Sequence, residues 1–177
     1  MPAQVSIETE RLHLRTVTLE DVEGVISSWN LDGERPARSE AIAKINWMQE
    51  NHQLNRPGRL VHLCLAIIYT ETREFIGWCG LDQREKSQVH PVLFYLLKSR
   101  YWGKGLATEA ARAVLAYGFE DLGLARIDSG AAHENLASRR VMEKIGMRYV
   151  GLSEDGGYRF TLTKIEYDQS KMSRRRS

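Results

Sequence analysis

The sequence predicts an α/β fold of the α+β type, with a mixed, mostly antiparallel sheet flanked by helices. Three apolar runs follow one another at 60–69, 74–83 and 89–98, and the connections between them are short enough for antiparallel hairpins. Only one strand–helix–strand crossover follows, whereas a doubly wound sheet needs repeated crossovers. The chain has 177 residues, 42% of them hydrophobic and 27% charged, which suits one globular core.

The N-terminal part predicts one strand and two helices. RLHLRTV (11–17) alternates apolar and charged residues, as a half-buried strand does. TLEDVEGVISSW (18–29) has helical spacing, and Thr18 and Asp21 are placed as a capping box. A polar segment, NLDGERPARSE, separates it from a second helix, which Ser39 can cap. The apolar stripes of the two helices consist of Val22, Val25, Ile26 and Trp29, and of Ile42, Ile45 and Met48.

The C-terminal half predicts two helices and three strands. A glycine-containing loop leads into an amphipathic helix at about 107–122, and a short strand follows in ARIDSGAA (125–132). The next helix, at 135–144, ends before Gly146. MRYVGL (147–152) and YRFTLTKIEY (158–167) then predict two more strands. We place residues 1–170 in a single domain and expect the basic residues 171–177 to form a disordered tail.

Charge and cysteine content argue against several classes of function. With 25 basic and 23 acidic residues the net charge is +2, which gives no general attraction for nucleic acid. Cys64 and Cys79 lie in apolar runs without metal-ligand spacing, so we expect buried free thiols in a reducing compartment and no metal. The longest mostly apolar run is about half of what a bilayer crossing requires, and the N-terminus lacks a signal-peptide pattern. We therefore predict a cytoplasmic protein that binds no membrane.

The loop in SRYWGKGLATEA (99–110) predicts an anion site. A phosphate-loop NTPase requires G-x-x-x-x-G-K-S/T, and the spacing of Gly103, Lys104 and Gly105 excludes it. The dinucleotide pattern G-x-G-x-x-G has Thr108 in place of its third glycine and lies in the wrong strand context, so it is a weak alternative. The remaining interpretation is that backbone N–H groups at the start of a helix face an anion, which the glycines allow to come close.

These residues resemble the GNAT superfamily of acetyl-CoA-dependent N-acyltransferases, and most of all its Rim branch, which includes ribosomal-protein N-terminal acetyltransferases. The superfamily signature R/Q-x-x-G-x-G/A maps onto 102–107, with Trp102 at the position of the usual Arg or Gln. YWGKGLATEA, the opening ETERLHLR (8–15) and NLASRRVMEKIGM (135–147) are similar to the Rim branch. The resemblance spans nearly the whole chain. It implies the GNAT fold, in which two splayed central strands hold the pantetheine arm of acetyl-CoA; homodimers occur in the family.

The resemblance implies cofactor contacts in three segments. The edge of VLFYLLK (92–98) offers backbone groups around Tyr95 and Leu97 to the pantetheine and thioester. Asn135 and Ser138 are the implied catalytic residues: Asn135 lies where the family contacts the pantetheine arm, and Ser138 lies near the thioester sulfur. Both could instead only cap a helix. The N–H groups that cradle the pyrophosphate belong to Trp102, Gly103, Lys104, Gly105, Leu106, Ala107 and Thr108. Finally, Arg139 and Arg140 either reach the 3′-phosphate of CoA or are solvated charges.

Two acid/base positions of the family carry unsuitable residues here. The glutamate that many Rim-type members have on the fourth strand corresponds to Val92, and the tyrosine of the last helix corresponds to Met142. Neither side chain can exchange a proton. Conceivable substitutes are Asp82, His90, His133 and Glu134. For each of these, a surface or turn role is the simpler interpretation.

The expected activity is acetyl transfer from acetyl-CoA to an amine by direct attack in a ternary complex. An α-amine of pKa ~8 is roughly a tenth neutral at pH 7, whereas a lysine of pKa ~10.4 is neutral in less than about one part in a thousand. An enzyme without a strong base therefore favours protein N-termini, while polyamines and aminoglycosides stay open as acceptors. The alternatives are a catalytically silent acyl-CoA-binding module and an interaction protein that docks on ribosomes or RNA through its basic tail.

Overall fold

A computed structural model describes residues 4–28, 35–83 and 89–175. Its strands are β1 (Ser6–Glu8), β2 (Leu12–Thr16), β3 (His62–Tyr69), β4 (Glu74–Asp82), β5 (Val92–Leu97), β6 (Arg126–Ala131), β7 (Arg148–Leu152) and β8 (Tyr158–Thr163). They form one sheet of eight strands in the order β1-β2-β3-β4-β5-β6-β8-β7. Every neighbouring pair is antiparallel except β5 and β6, which are parallel. The predicted mixed, mostly antiparallel sheet is confirmed.

Helices cover both faces of this sheet. They are α1 (Val22–Ser28), α2 (Arg38–His52), α3 (Leu106–Ala116), α4 (Leu136–Lys144) and α5 (Lys164–Arg175). Successive side chains of a strand point to opposite faces. Along β3, Leu63 and Leu65 pack in the apolar cluster that contains α3 and α4, whereas Cys64 and Ala66 pack in the cluster that contains α1 and α2. We refer to these two sides as the α3 face and the α1 face.

The start of α1 follows the predicted capping pattern, but the start of α2 does not. The carboxylate of Asp21 accepts a hydrogen bond from the backbone N–H of Thr18 at 2.8 Å, in a single 3-10 turn that precedes α1. The N-cap of α2 is Ala37, because the side chain of Glu40 returns to its backbone N–H at 2.7 Å. The prediction of Ser39 as the cap is therefore wrong. Trp29, predicted in the stripe of α1, lies outside the described residues.

The predicted strand at 158–167 is correct only as far as Thr163. Glu166 accepts hydrogen bonds from the backbone N–H of Thr163 at 2.9 Å and from its hydroxyl at 2.8 Å. Because this side chain satisfies N–H groups that begin a helix, the chain turns into α5 instead of extending β8. The short edge strand β1, which the sequence did not predict, pairs with β2 through Ser6–Glu8.

The last helix includes residues that the sequence places in the basic tail. Residues 171–175, which the sequence places in a disordered segment, continue α5, and residues 176–177 lie outside the described part of the chain. Lys171 and Tyr167 both donate hydrogen bonds to Glu120, which holds α5 against the turn after α3. That turn, Tyr117–Asp121, is a π-helical extension of α3, so the predicted helix at 107–122 is confirmed to within one residue at each end.

Candidate active site

The two parallel strands at the centre of the sheet meet only at one end. In the described residues, the register of β5 with β6 consists of Val92 opposite Asp128. The hydroxyl of Ser129 adds a hydrogen bond to the carbonyl of Leu93 at 3.0 Å. Beyond Leu93 no pair joins the two described strands. The second half of β5 therefore faces a gap, which we call the central cleft.

The edge of β5 that faces this cleft carries the backbone groups of Tyr95 and Leu97. The carbonyl of Leu93 points toward β6, and the strand period of two places the backbone of Tyr95 and Leu97 on the same edge. The carbonyl of Leu97 accepts a hydrogen bond from the indole N–H of Trp102 at 2.7 Å. A carbonyl has two lone pairs, so this contact leaves capacity for a second donor.

The side chain of Tyr95 connects β5 with α4. Its hydroxyl donates a hydrogen bond to the backbone carbonyl of Ser138 at 3.1 Å. Burial raises the pKa of Tyr95 to about 12, so the hydroxyl keeps its proton and remains a donor at neutral pH. This contact places the start of α4 beside the open edge of β5.

Beyond β5, the glycine loop turns the chain into α3. Gly103 and Gly105 have φ values of +72° and +78°, a left-handed conformation that glycine adopts without strain. The first hydrogen bond of the helix runs from the N–H of Glu109 to the carbonyl of Gly105 at 3.0 Å. In the described part of the chain, the N–H groups of 103–108 donate to no protein acceptor. With the positive end of the helix dipole, they form a group of donors suited to a phosphate. The N–H of Trp102, which the resemblance places in the same cradle, instead donates to the carbonyl of Ser99 at 3.0 Å, so this part of the prediction is wrong.

The sequence patterns do not single out two residues that hold this loop. Arg11, in the turn between β1 and β2, donates from Nη1 to the carbonyl of Lys104 at 2.9 Å. Glu109, in the first turn of α3, pairs with Arg11 at 2.7 Å. In the sequence, the family resemblance is what points to Arg11 and Glu109, because they lie in the similar segments ETERLHLR and YWGKGLATEA.

At the start of α4, Asn135 and Ser138 make the contacts of a helix cap. The side-chain oxygen of Asn135 accepts a hydrogen bond from the backbone N–H of Ser138 at 3.0 Å. The same turn reaches the cleft through Tyr95, so a role at the thioester is compatible with capping. Arg139 is ion-paired with Glu143 at 2.9 Å, which agrees with the interpretation as a surface charge.

The two acid/base positions of the family both carry apolar side chains here, but their surroundings differ. Met142 is fully buried in the apolar cluster of the α3 face. Of the suggested substitutes, His90 lies in the bend before β5 rather than on the strand. His133 stacks on Tyr158 with ring centroids 5.1 Å apart, and Glu134 is exposed in a turn. Three of the four substitutes thus have turn or surface positions.

The fourth substitute, Asp82, belongs to a polar row that crosses the sheet. By Cα register, the row runs His62 (β3), Asp82 (β4), Val92 (β5), Asp128 (β6) and Thr161 (β8). Nδ1 of His62 lies 3.1 Å from Oδ1 of Asp82, and the hydroxyl of Thr161 donates to Asp128 at 2.6 Å. Side chains of opposite residues share a face, and His62 packs against Trp47 of α2. Two carboxylates therefore flank Val92 on the α1 face.

Cys79 lies in the centre of the sheet and is fully buried. Burial raises the pKa of its thiol, so the nucleophilic thiolate is disfavoured. Within residues 4–28, 35–83 and 89–175, no helix is both long and apolar enough to cross a membrane. No group of three His, Cys, Asp or Glu side chains in these same ranges could hold a metal ion.

Comparison with known proteins identifies the family of this chain. Residues 11–148 match the family described as acetyltransferase (GNAT) domain. The chain is 31% identical over 184 residues to the uncharacterized N-acetyltransferase p20 of Bacillus licheniformis, and the alignment covers 92% of this chain and 98% of that protein. The match covers more than half of the chain and therefore establishes the family.

Solved structures of low sequence identity share the fold. The ribosomal-protein-S5-alanine acetyltransferase of Vibrio fischeri superposes with a TM-score of 0.76 at 17% identity, covering 90% of this chain and 97% of that one. RimL, a ribosomal L7/L12 alpha-N-protein acetyltransferase solved in complex with coenzyme A, has a TM-score of 0.74 at 14% identity, covering 90% and 98%.

Proposed function

The chain belongs to the GNAT family of acetyltransferases, and we propose that it transfers an acetyl group from acetyl-CoA to an amine, preferably a protein N-terminus. One observation carries this proposal. The open edge of β5 and the unsatisfied N–H groups at the start of α3 lie at the two ends of one segment, 95–108. The first suits the amide groups of a pantetheine arm, and the second suits a pyrophosphate.

The donor would bind along this segment. The N–H groups of 103–108 would receive the pyrophosphate oxygens, and the backbone of Tyr95 and Leu97 would pair with the pantetheine amides. Asn135 would contact the arm from the start of α4. Arg140, which is exposed on the same helix, is our candidate for the 3′-phosphate, because Arg139 is already paired with Glu143.

The chemical step requires a neutral amine, stabilisation of an oxyanion and departure of a thiolate. Backbone N–H groups on the open edge of β5 would stabilise the oxyanion. The hydroxyl of Ser138 would protonate the departing sulfur, which is a modest demand because a free thiol has a pKa of about 8.5. The burial of Cys79 supports direct attack by the amine, since a fully buried thiol with a raised pKa is a poor acceptor for the acetyl group.

The acceptor preference follows from the missing base. Val92 occupies the position of the family's glutamate, and an apolar side chain there leaves water to carry the proton away. A peptide N-terminus is roughly two hundred times more often neutral at pH 7 than a lysine side chain, so it needs less assistance. Two relatives of the same fold act on ribosomal proteins according to their names, which supports a peptide acceptor. Polyamines and aminoglycosides are the other amines to test.

A catalytically silent acyl-CoA-binding module is the second candidate, because both acid/base positions are apolar. Calorimetry with acetyl-CoA tests the donor site, and no binding at high micromolar concentration would contradict the proposal. A thiol-release screen with peptides, polyamines and aminoglycosides tests the reaction. Release with peptides supports N-terminal acetylation, and release with small amines alone assigns that acceptor class. Binding without release across the panel favours the silent module.

A further inference from the structure

We propose that Thr9, Arg11 and Glu109, which we call the clamp, position the phosphate-binding loop by fixing the direction of one peptide group. The inference rests on the proposed function, because it takes the N–H groups of 103–108 as the site of the pyrophosphate. The clamp residues do not touch the donor in this proposal. They are positioning residues that prepare the loop before the donor binds.

The clamp joins the turn between β1 and β2 to the first turn of α3. Oε1 of Glu109 accepts hydrogen bonds from the hydroxyl of Thr9 at 2.7 Å and from the backbone N–H of Arg11 at 2.8 Å. Oε2 accepts from Nε of Arg11 at 2.8 Å and lies 2.7 Å from Nη2. The third guanidinium nitrogen, Nη1, donates to the carbonyl of Lys104 at 2.9 Å. All three nitrogens of the guanidinium are therefore engaged.

The contact with Lys104 sets the orientation of the peptide that joins Lys104 to Gly105. In a trans peptide the C=O and the N–H point in opposite directions. Because the carbonyl of Lys104 points toward Arg11, the N–H of Gly105 must point away from the clamp. Glycine populates both signs of φ, so without this contact the peptide could rotate and withdraw its N–H. The clamp removes that freedom at the central donor of the loop.

The charges of the clamp also suit a neighbouring phosphate. An unpaired carboxylate in the first turn of α3 would repel an anion bound at the same turn. Arg11 neutralises Glu109, whose side chain is only 16% exposed. Burial opposes the ionisation of Glu109, but hydrogen bonds from Thr9 and Arg11 outweigh it and hold its pKa below the ordinary value. Glu109 is thus ionised at neutral pH, and Arg11 is engaged with this carboxylate and with the loop rather than with the ligand.

The clamp could alternatively only attach the first hairpin to α3, and a matched carboxylate separates the two roles. Glu166, in the first turn of α5, accepts hydrogen bonds from the backbone N–H of Thr163 at 2.9 Å, from its hydroxyl at 2.8 Å and from Nε of Arg148 at 3.1 Å. Glu109 has the same three kinds of donor. Glu109→Gln and Glu166→Gln therefore remove equivalent charges, but only the first lies beside the loop.

The experiment measures the affinity for CoA and for pantetheine, which lacks the phosphates, in the full chain. Arg11→Lys retains the charge but cannot hold Glu109 and the carbonyl of Lys104 together, because an ammonium has no planar fork. We expect Arg11→Lys to weaken CoA binding about tenfold, the loss of one charge-assisted hydrogen bond. Glu109→Gln should weaken it by a smaller factor, because the uncompensated charge of Arg11 attracts the phosphates and partly offsets the lost hydrogen bonds. Pantetheine affinity should change less than about twofold, and Glu166→Gln should change neither.

Unchanged CoA affinity in the clamp variants overturns the inference. An equal loss for CoA and pantetheine also overturns it, because that pattern indicates a general loss of structure. If Glu109→Gln does not fold, as judged by circular dichroism, Arg11→Lys alone decides. If the wild-type protein does not bind CoA, the proposed function and the inference are both refuted. If the wild type and the clamp variants bind CoA equally well, only the inference is refuted.

Discussion

Gly105 provides the sharpest test of the phosphate loop, because its backbone conformation favours glycine although its surroundings leave space for a side chain. Its φ of +78° is strained for any other residue, yet a β-carbon there would meet only Nη2 of Arg11, at an ordinary 3.6 Å. Gly105→Ala therefore costs about 1–2 kcal/mol of left-handed strain without a steric clash in the free protein. For a chain of this size, that corresponds to a fall in Tm of about 2–8 °C.

The chain contains a matched control for this strain. Gly123 has a φ of +63°, and nothing lies within 4 Å of a β-carbon built on it. Gly123→Ala should therefore lower Tm by about the same amount, measured by thermal unfolding. Only Gly105→Ala should weaken acetyl-CoA binding, because relief of the strain at this φ would displace the peptide groups whose N–H groups the phosphate approaches.

Gly105→Val extends the test to complete loss. A β-branched side chain is still less compatible with a positive φ, so we expect no measurable acetyl-CoA binding by calorimetry, while the folded fraction at 25 °C stays near that of wild type. The reasoning would be refuted by wild-type affinity in Gly105→Val. It would also be refuted if Gly123→Ala lost as much affinity as Gly105→Ala, because the effect would then come from stability alone.

Three further predictions concern the residues around the cleft. Ser138→Ala should lower kcat in a thiol-release assay by about 100-fold, the low end for a positioned general acid, at unchanged acetyl-CoA affinity. An unchanged kcat would remove Ser138 from the reaction. Cys79 should stay unmodified when the folded protein is incubated with acetyl-CoA or a thiol reagent, as checked by mass spectrometry, and an acetylated Cys79 would contradict direct attack. Glu109 has a lowered pKa in the folded state, so its contribution to stability is present at neutral pH and is lost as pH falls below about 4.3. When the free energy of unfolding is measured as a function of pH, Glu109→Gln should therefore lose less of it than wild type between roughly pH 5 and pH 3.

The sequence is sufficient for those parts of the site that depend on local pattern. Gly103 and Gly105 are recognisable because a left-handed loop that enters a helix requires glycine, and Asn135 is recognisable because a helix start requires a cap. The open edge of β5 came from the family resemblance and not from periodicity. The predicted strand extends too far because Ile165 and Tyr167 resume the alternation of YRFTLTKIEY after it changes phase at Thr163 and Lys164. In the structure, the return of Glu166 to Thr163 starts α5 at this point.

Contacts between distant segments could not be predicted. Arg11 and Glu109 are separated by 98 positions, and neither stands out by type or spacing. The polar row depends on the register of five strands. A shift of one residue in any of them would move its side chain to the other face of the sheet. Asp128, one member of this row, pairs with Arg126 at 2.8 Å and accepts a hydrogen bond from the hydroxyl of Thr161.

The polar row predicts what a restored carboxylate at position 92 would do. Val92→Glu would place a carboxyl group one strand spacing, about 5 Å between Cα atoms, from both Asp82 and Asp128. These like charges would raise its pKa toward neutrality, where a general base is most effective. His62, Arg126 and Thr161 contact the two aspartates and limit this effect.

The benefit of such a base should depend on the acceptor. A lysine side chain is neutral in less than about one part in a thousand at pH 7, whereas a peptide α-amine is neutral in roughly a tenth of molecules. Val92→Glu should therefore increase thiol release with an N-terminally blocked lysine peptide by a larger factor than with a free N-terminus. Val92→Gln, equal in size but uncharged, should show no such shift. An equal shift in both variants, or none in Val92→Glu, would mean that the proton leaves the amine by a route that does not pass this position, and the argument from the missing base to the preferred acceptor would fail with it.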